Sequence, residues 1–129
     1  MTQSRPEPYV PNRRVVPPTS IGQYEWMFKE HVVLIARFDG DLDDLTAAYD
    51  RAHDLIMRRG GAVPVGELRH HCATSDNSLY IIGVWESEEA ARSRWSSAEF
   101  NDLLTSVGFP PSPTEFTILN LHATEPPLT

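Results

Sequence analysis

Two stretches of this chain are apolar at every position rather than at every second one. In the first, Val32, Leu34 and Ala36 alternate with Val33 and Ile35; in the second, Leu79 and Ile81 alternate with Ile82 and Val84. Both are rich in β-branched residues and read as strands. Successive side chains on a strand point to opposite faces, so a sheet built on these strands presents two apolar faces and needs cover on both. A layer of helices supplies one cover. The economical source of the other is the same sheet of a second, symmetry-related copy.

The remaining segments fit that plan. Residues 28–38 (FKEHVVLIARF) form the first predicted strand, broken by Asp39-Gly40-Asp41, with Asp41 placed to cap a helix. Leu42, Leu45, Tyr49, Ala52 and Ile56 recur at three- and four-residue steps and make one helical stripe. Arg58 and Arg59 suit the negative end of the helix dipole, and Gly60-Gly61 stops it. A second strand is expected over 62–73, a turn over 74–78 and a third strand over 79–86. Ser87 caps the next helix, whose first turn holds Glu88 and Glu89. Ser96-Ser97 kinks or interrupts that helix, and Phe100, Leu103, Leu104 and Val107 continue its apolar stripe to Gly108. Pro110, Pro111 and Pro113 stiffen a connector before a fourth strand at 115–122.

The order β-α-β-β-α-β describes a ferredoxin-like α+β domain with a four-stranded antiparallel sheet, dimerising into an α/β barrel. Its expected bounds are 24–123, followed by a tail over 124–129. The preceding arm, 1–23, carries five prolines within its first 18 residues and forms neither a helix nor an interior strand. It reads equally as a disordered leader or as an extended arm laid on the partner, anchored by Tyr9, Val10, Val15 and Val16. Tyr24, Trp26, Met27 and Phe28 suit an arm that packs on the sheet or on the partner.

Composition excludes several functions. A net charge of -7 and a pI near 5.1 leave no basic face for a nucleic-acid backbone. Cys72 is the single cysteine, which removes internal disulfides and multi-cysteine zinc sites. With no apolar run near the roughly 20 residues of a membrane span and no apolar leader, a cytoplasmic location without membrane partners is expected. His31, His71 and His122 share a strand parity but no tight ligand spacing, so no metal site is assigned.

The run HHCATSDNSLYIIGVWESEEA, residues 70–90, resembles the antibiotic-biosynthesis-monooxygenase-like family of the dimeric α/β barrels. Trp85-Glu86-Ser87-Glu88-Glu89-Ala90 carries most of that likeness. The resemblance implies a pocket in each subunit between sheet and helices. In the family's quinone-forming oxygenases a tricyclic phenol is oxidised there by O2 without flavin, metal or haem, so no cofactor is expected. Trp85 and His71 match positions of that pattern. Its asparagine, tyrosine and arginine positions hold Ile81, Ala91 and, allowing for an insertion, Asn101. The haem ligand of the family's haem-degrading relatives falls on Leu104, and haem is not expected.

Parity sets the candidate site. If Trp85 faces the pocket, so do Gly83 and Ile81, while His70 and His71 face opposite ways. Either histidine serves as acid/base candidate, since a neutral imidazole accepts a phenolic proton near neutrality. Cys72 shares the face of His70 and reads as a small buried hydrophobe. Trp95, Phe100 and Leu104 are candidate pocket lining, with Arg37 and Asn101 as polar candidates for substrate binding. The expected function is cofactor-independent oxygenation of a hydrophobic, aromatic or polyketide-type molecule by a homodimer. The alternatives are cyclisation or isomerisation of such a molecule, or a non-catalytic dimeric small-molecule-binding or stress-associated module.

Overall fold

A computed structural model describes residues 31–58 and 64–128. Strand β1 (Val32–Asp39), helix α1 (Leu42–Arg58), strands β2 (Glu67–Ser75) and β3 (Ser78–Trp85), helices α2 (Glu88–Ser96) and α3 (Ala98–Val107) and strand β4 (Glu115–Asn120) follow in chain order. The strands form one antiparallel sheet in the order β2-β3-β1-β4. This is the ferredoxin-like α+β arrangement. The arm at 1–23, the aromatic run from Tyr24 to Phe28, the Arg59-Gly60-Gly61 helix stop and the expected strand start at Ala62 lie outside the described residues.

The two strands that are apolar on both parities are the two central ones, β1 and β3, each hydrogen-bonded on both sides. Their even-numbered β1 and odd-numbered β3 side chains meet the helices. Leu34, Phe38, Leu79 and Trp85 are fully buried there, packed with Leu45, Ala48 and Ala52 of α1 and Phe100, Leu104 and Val107 of α3. Each large side chain so buried contributes about 1.5–3 kcal/mol. The other face shows Val33, Ile35, Ile82 and Val84 half-buried and Leu119 exposed. One face of the sheet is covered by helices, and no described helix covers the opposite, apolar one.

Local chemistry sets the element ends. Asp41 accepts from the backbone N–H of Asp44 and starts α1. The β2–β3 turn is tighter than 74–78: Ser75 pairs with Ser78, and Asp76 adopts a left-handed φ of 49° between them. Asp tolerates that conformation better than most residues. Strand β2 begins at Glu67 because Pro64 and Val65-Gly66 form a turn, closed by the Glu67 N–H on the Pro64 carbonyl at 3.1 Å, with Gly66 at φ 92°. The helical segment after Ser87 is two helices. Ser97 ends α2 and, by accepting from the Phe100 N–H at 3.0 Å, caps α3. Gly108, at φ 110°, closes α3, and Arg51 of α1 donates to the Val107 carbonyl at that end. Strand β4 stops at Asn120, two residues before His122. Beyond it, Leu121 bonds back to His31, and Arg69 of β2 holds the carbonyls of Pro126 and Pro127 at 3.1 and 3.4 Å.

Candidate active site

A cavity of about 320 Å³ lies between the helix-covered face of the sheet and the helices. Ile81 and Trp85 of β3 form its floor. Ala52, Ile56 and Met57 of α1, Phe100 and Leu104 of α3, Trp95 of α2 and Phe109 make apolar walls. Polar groups enter at few points: Tyr49 and His53 from α1, Glu67 and His70 from β2, and Arg94 from α2. An apolar chamber with a few convergent polar groups is the usual form of a small-molecule site.

Three of these polar groups are linked. The Nδ1 of His70 lies 2.8 Å from Oε2 of Glu67, and its Nε2 lies 2.8 Å from the Tyr49 hydroxyl. Glu67 is only 6% exposed in its side chain, so its carboxylate requires a donor. With Nδ1–H donated to Glu67, Nε2 is the acceptor that receives the Tyr49 O–H. Burial, aided by the charges of Glu67 and Asp50, pushes the Tyr49 phenol up to about 12, which keeps it protonated and donating. The imidazole and phenol rings lie nearly parallel, 6.0 Å apart at 15°. A carboxylate, an imidazole and a phenol thus run in series along the cavity wall.

A local irregularity makes this possible. Glu67 pairs with Trp85 and Arg69 with the adjacent Val84, so Leu68 is an extra residue, a β-bulge. Strict alternation would send Glu67 and His70 to opposite faces, and the bulge returns both to the cavity face. Gly83, the partner of His70, completes the fit. A Cβ there would stand 2.6 Å from Oε2 of Glu67 and 2.7 Å from Nε1 of Trp85. Gly83→Ala is therefore expected to displace the carboxylate and the indole and to lower stability by about 1–3 kcal/mol, as overpacking does. Denaturant unfolding measures the loss, and a variant as stable as the parent would contradict this packing.

No family model and no curated protein match the chain. Solved structures do. SnoaB, a cofactor-independent oxygenase from Streptomyces nogalater, superposes with a TM-score of 0.55 at 22% identity, over 75% of this chain and 98% of that one. The monooxygenase from the gene ActVA-Orf6 of Streptomyces coelicolor, in complex with the ligand Nanaomycin D, gives 0.54 at 19%, over 74% and 89%. A candidate antibiotic biosynthesis monooxygenase from Chloroflexus aurantiacus gives 0.52 at 16%, over 73% and 95%. The chain shares the fold of these structures.

Within this fold the residues singled out from the sequence separate cleanly. Trp85, Ile81, Trp95, Phe100, Leu104 and His70 line the cavity. Gly83 lies beneath it, leaving the space that Glu67 and Trp85 occupy. His71 pairs with Ile82 and shares its open face, away from the cavity. Arg37 also lies on the open-face parity and is held by Asp39 and Glu115 at 3.0 and 2.8 Å. Asn101 spends its amide on the carbonyls of Trp95 and Ser97, pinning the joint between α2 and α3. Arg37 and Asn101 are thus structural where ligand contacts were expected. Cys72, half-buried, has its thiol pushed up to about 11 by burial and the charge of Asp50. It stays protonated and unreactive.

Tyr49, Glu67 and Arg94 carry polar chemistry that sequence patterns did not assign. Tyr49 appeared only as one apolar step of the α1 stripe. Arg94 lies on a short polar helix without a pattern of its own. Its guanidinium stands 4.2 Å over the Phe100 ring, and burial pulls its pKa below the usual value, with Glu67 and Glu99 opposing.

Proposed function

We propose that this protein is a cofactor-independent monooxygenase of an aromatic or polyketide-type molecule, and that it works as a homodimer closed by the open faces of two sheets. The observation that carries the reading is the series Glu67–His70–Tyr49 on the wall of an otherwise apolar cavity. A phenolic or similarly acidified substrate in that cavity gives its proton to the Tyr49 oxygen as the Tyr49 proton passes to Nε2 of His70. Glu67 then offsets the imidazolium. General acid–base transfer of this kind is worth about 10²–10⁴ in rate. The electron-rich anion reduces O2, the two recombine at the activated methylene carbon, and loss of water leaves a carbonyl. One CH2 and one O2 become one C=O and one H2O. The apolar walls exclude solvent from the anion. SnoaB, described as a cofactor-independent oxygenase, and the ligand-bound ActVA-Orf6 protein support the reading by their fold.

The test is stoichiometric. The purified protein, supplied with an anthrone-type phenol and no additive, is expected to consume one O2 per carbonyl formed. Turnover that proceeds equally without O2 would instead assign isomerisation or cyclisation, and no turnover of any such phenol would leave a binding module.

The dimer has its own test. Ile82 and Val84 lie in the middle of the open apolar face, where a buried charge without a partner costs several kcal/mol. Ile82→Glu is expected to convert a dimer in sedimentation velocity into a monomer. A parent protein that sediments as a monomer at micromolar concentration would refute the barrel.

A further inference from the structure

We infer that Arg94 forms an anion subsite inside the cavity and that the ligand is an aromatic acid, a fused-ring body bearing a carboxylate. The inference rests on the proposed aromatic pocket and names the class of molecule it takes. Arg94 lines the cavity, and its Nε is buried without a hydrogen-bond partner among the described residues. Two carboxylates, Glu67 and Glu99, are near enough for their charge to be felt, yet no described carboxylate comes within salt-bridge distance of its guanidinium. Glu67 is engaged by His70 at 2.8 Å. A buried guanidinium N–H that has lost water without gaining an acceptor is costly, and an arginine side chain stays charged.

The geometry shows what repays that cost. The Phe100 ring lies against the guanidinium, a cation–π contact that fixes the plane of the group. A fixed planar fork matches the paired oxygens of a carboxylate better than it matches a single phenolic oxygen. The surrounding walls are apolar or aromatic, so they accept a flat hydrocarbon body on the same molecule. Once His70 has taken the substrate proton it neutralises Glu67, and Arg94 is then the charge left facing the ligand.

Binding measured under nitrogen separates this subsite from the chemistry. Isothermal titration compares 3-hydroxy-2-naphthoate with its neutral carboxamide. The parent protein is expected to bind the acid at least tenfold more tightly. Arg94→Gln is expected to bind both equally, with the carboxamide affinity unchanged as a sign that the pocket is intact, and Arg94→Lys to recover part of the preference. Equal affinities in the parent, or a preference that survives in Arg94→Gln, would overturn the subsite alone. Failure of both ligands to bind would overturn the aromatic pocket and the subsite with it.

Discussion

His70→Ala is expected to lower the rate of substrate-dependent O2 consumption by about 10²–10⁴, the usual worth of a positioned acid–base group. The imidazole has both ring nitrogens occupied, Nδ1 by Glu67 and Nε2 by Tyr49, so its removal breaks the series at its centre. Tyr49 then has a hydroxyl with nowhere to send its proton, and Glu67 keeps a buried charge without a donor. Tyr49→Phe removes the end of the same series and should produce a loss of similar order. Glu67→Gln acts only through His70, by orienting the ring and stabilising its cation. It is expected to reduce kcat more than it raises KM. His71→Ala serves as the control, because that side chain lies on the open face. A rate that falls with His71 and survives loss of His70 would overturn the assignment.

Trp85→Ala is expected to be the most damaging single truncation for stability, at about 3–5 kcal/mol. Trp85 is 1% exposed, at the end of a central strand, and belongs to the core cluster that includes Ile81 and Leu34. Its Nε1 has no hydrogen-bond partner among the described residues, so the loss is one of packing and not of a polar contact. The site cannot collapse to fill the gap, because the floor it forms already borders a cavity. Against a typical domain stability of about 5–15 kcal/mol, the variant should unfold at a much lower denaturant concentration. Trp85→Phe, which keeps an aromatic body there, should lose far less. The denaturant midpoint at constant m separates these outcomes, and a Trp85→Ala variant within 1 kcal/mol of the parent would show that Trp85 is not the keystone of the floor.

Much of this architecture was legible in the residues. The double apolar parity of β1 and β3 matched their central position, since a strand flanked on both sides and covered on one face must be apolar there and often on the other. Ser87 capped its helix as its hydroxyl and the following glutamates required: it accepts from the Ala90 N–H at 3.1 Å. Ser97 was legible as an interruption. Its full role, stopping one helix and starting another, needed the geometry of two successive hydrogen bonds. Parity along β3 placed Ile81, Gly83 and Trp85 on one face, because nothing disturbs that strand.

The polar side of the cavity was less legible, for physical reasons. Tyr49 meets His70 across 21 positions of chain, and a helical stripe shows only that a tyrosine faces inward. Arg37 was a candidate for substrate binding, but Asp39 and Glu115 lie within reach and satisfy it. Asn101 was a candidate for ligand binding, yet the carbonyls at the helix joint claim its amide first. Glu67 was hidden by the alternation rule itself, which gives it the face opposite to His70.

That last case reaches beyond this one chain. A single surplus residue, Leu68, decides which side of the sheet a carboxylate occupies. An insertion or deletion of one codon there would turn the acid inward or outward while leaving the helices, the sheet order and the chamber in place. Proteins sharing this scaffold can therefore gain or lose the partner behind their histidine in one genetic step, without any change at the histidine. Alignments that treat the edge strand as gapless would pass over the event.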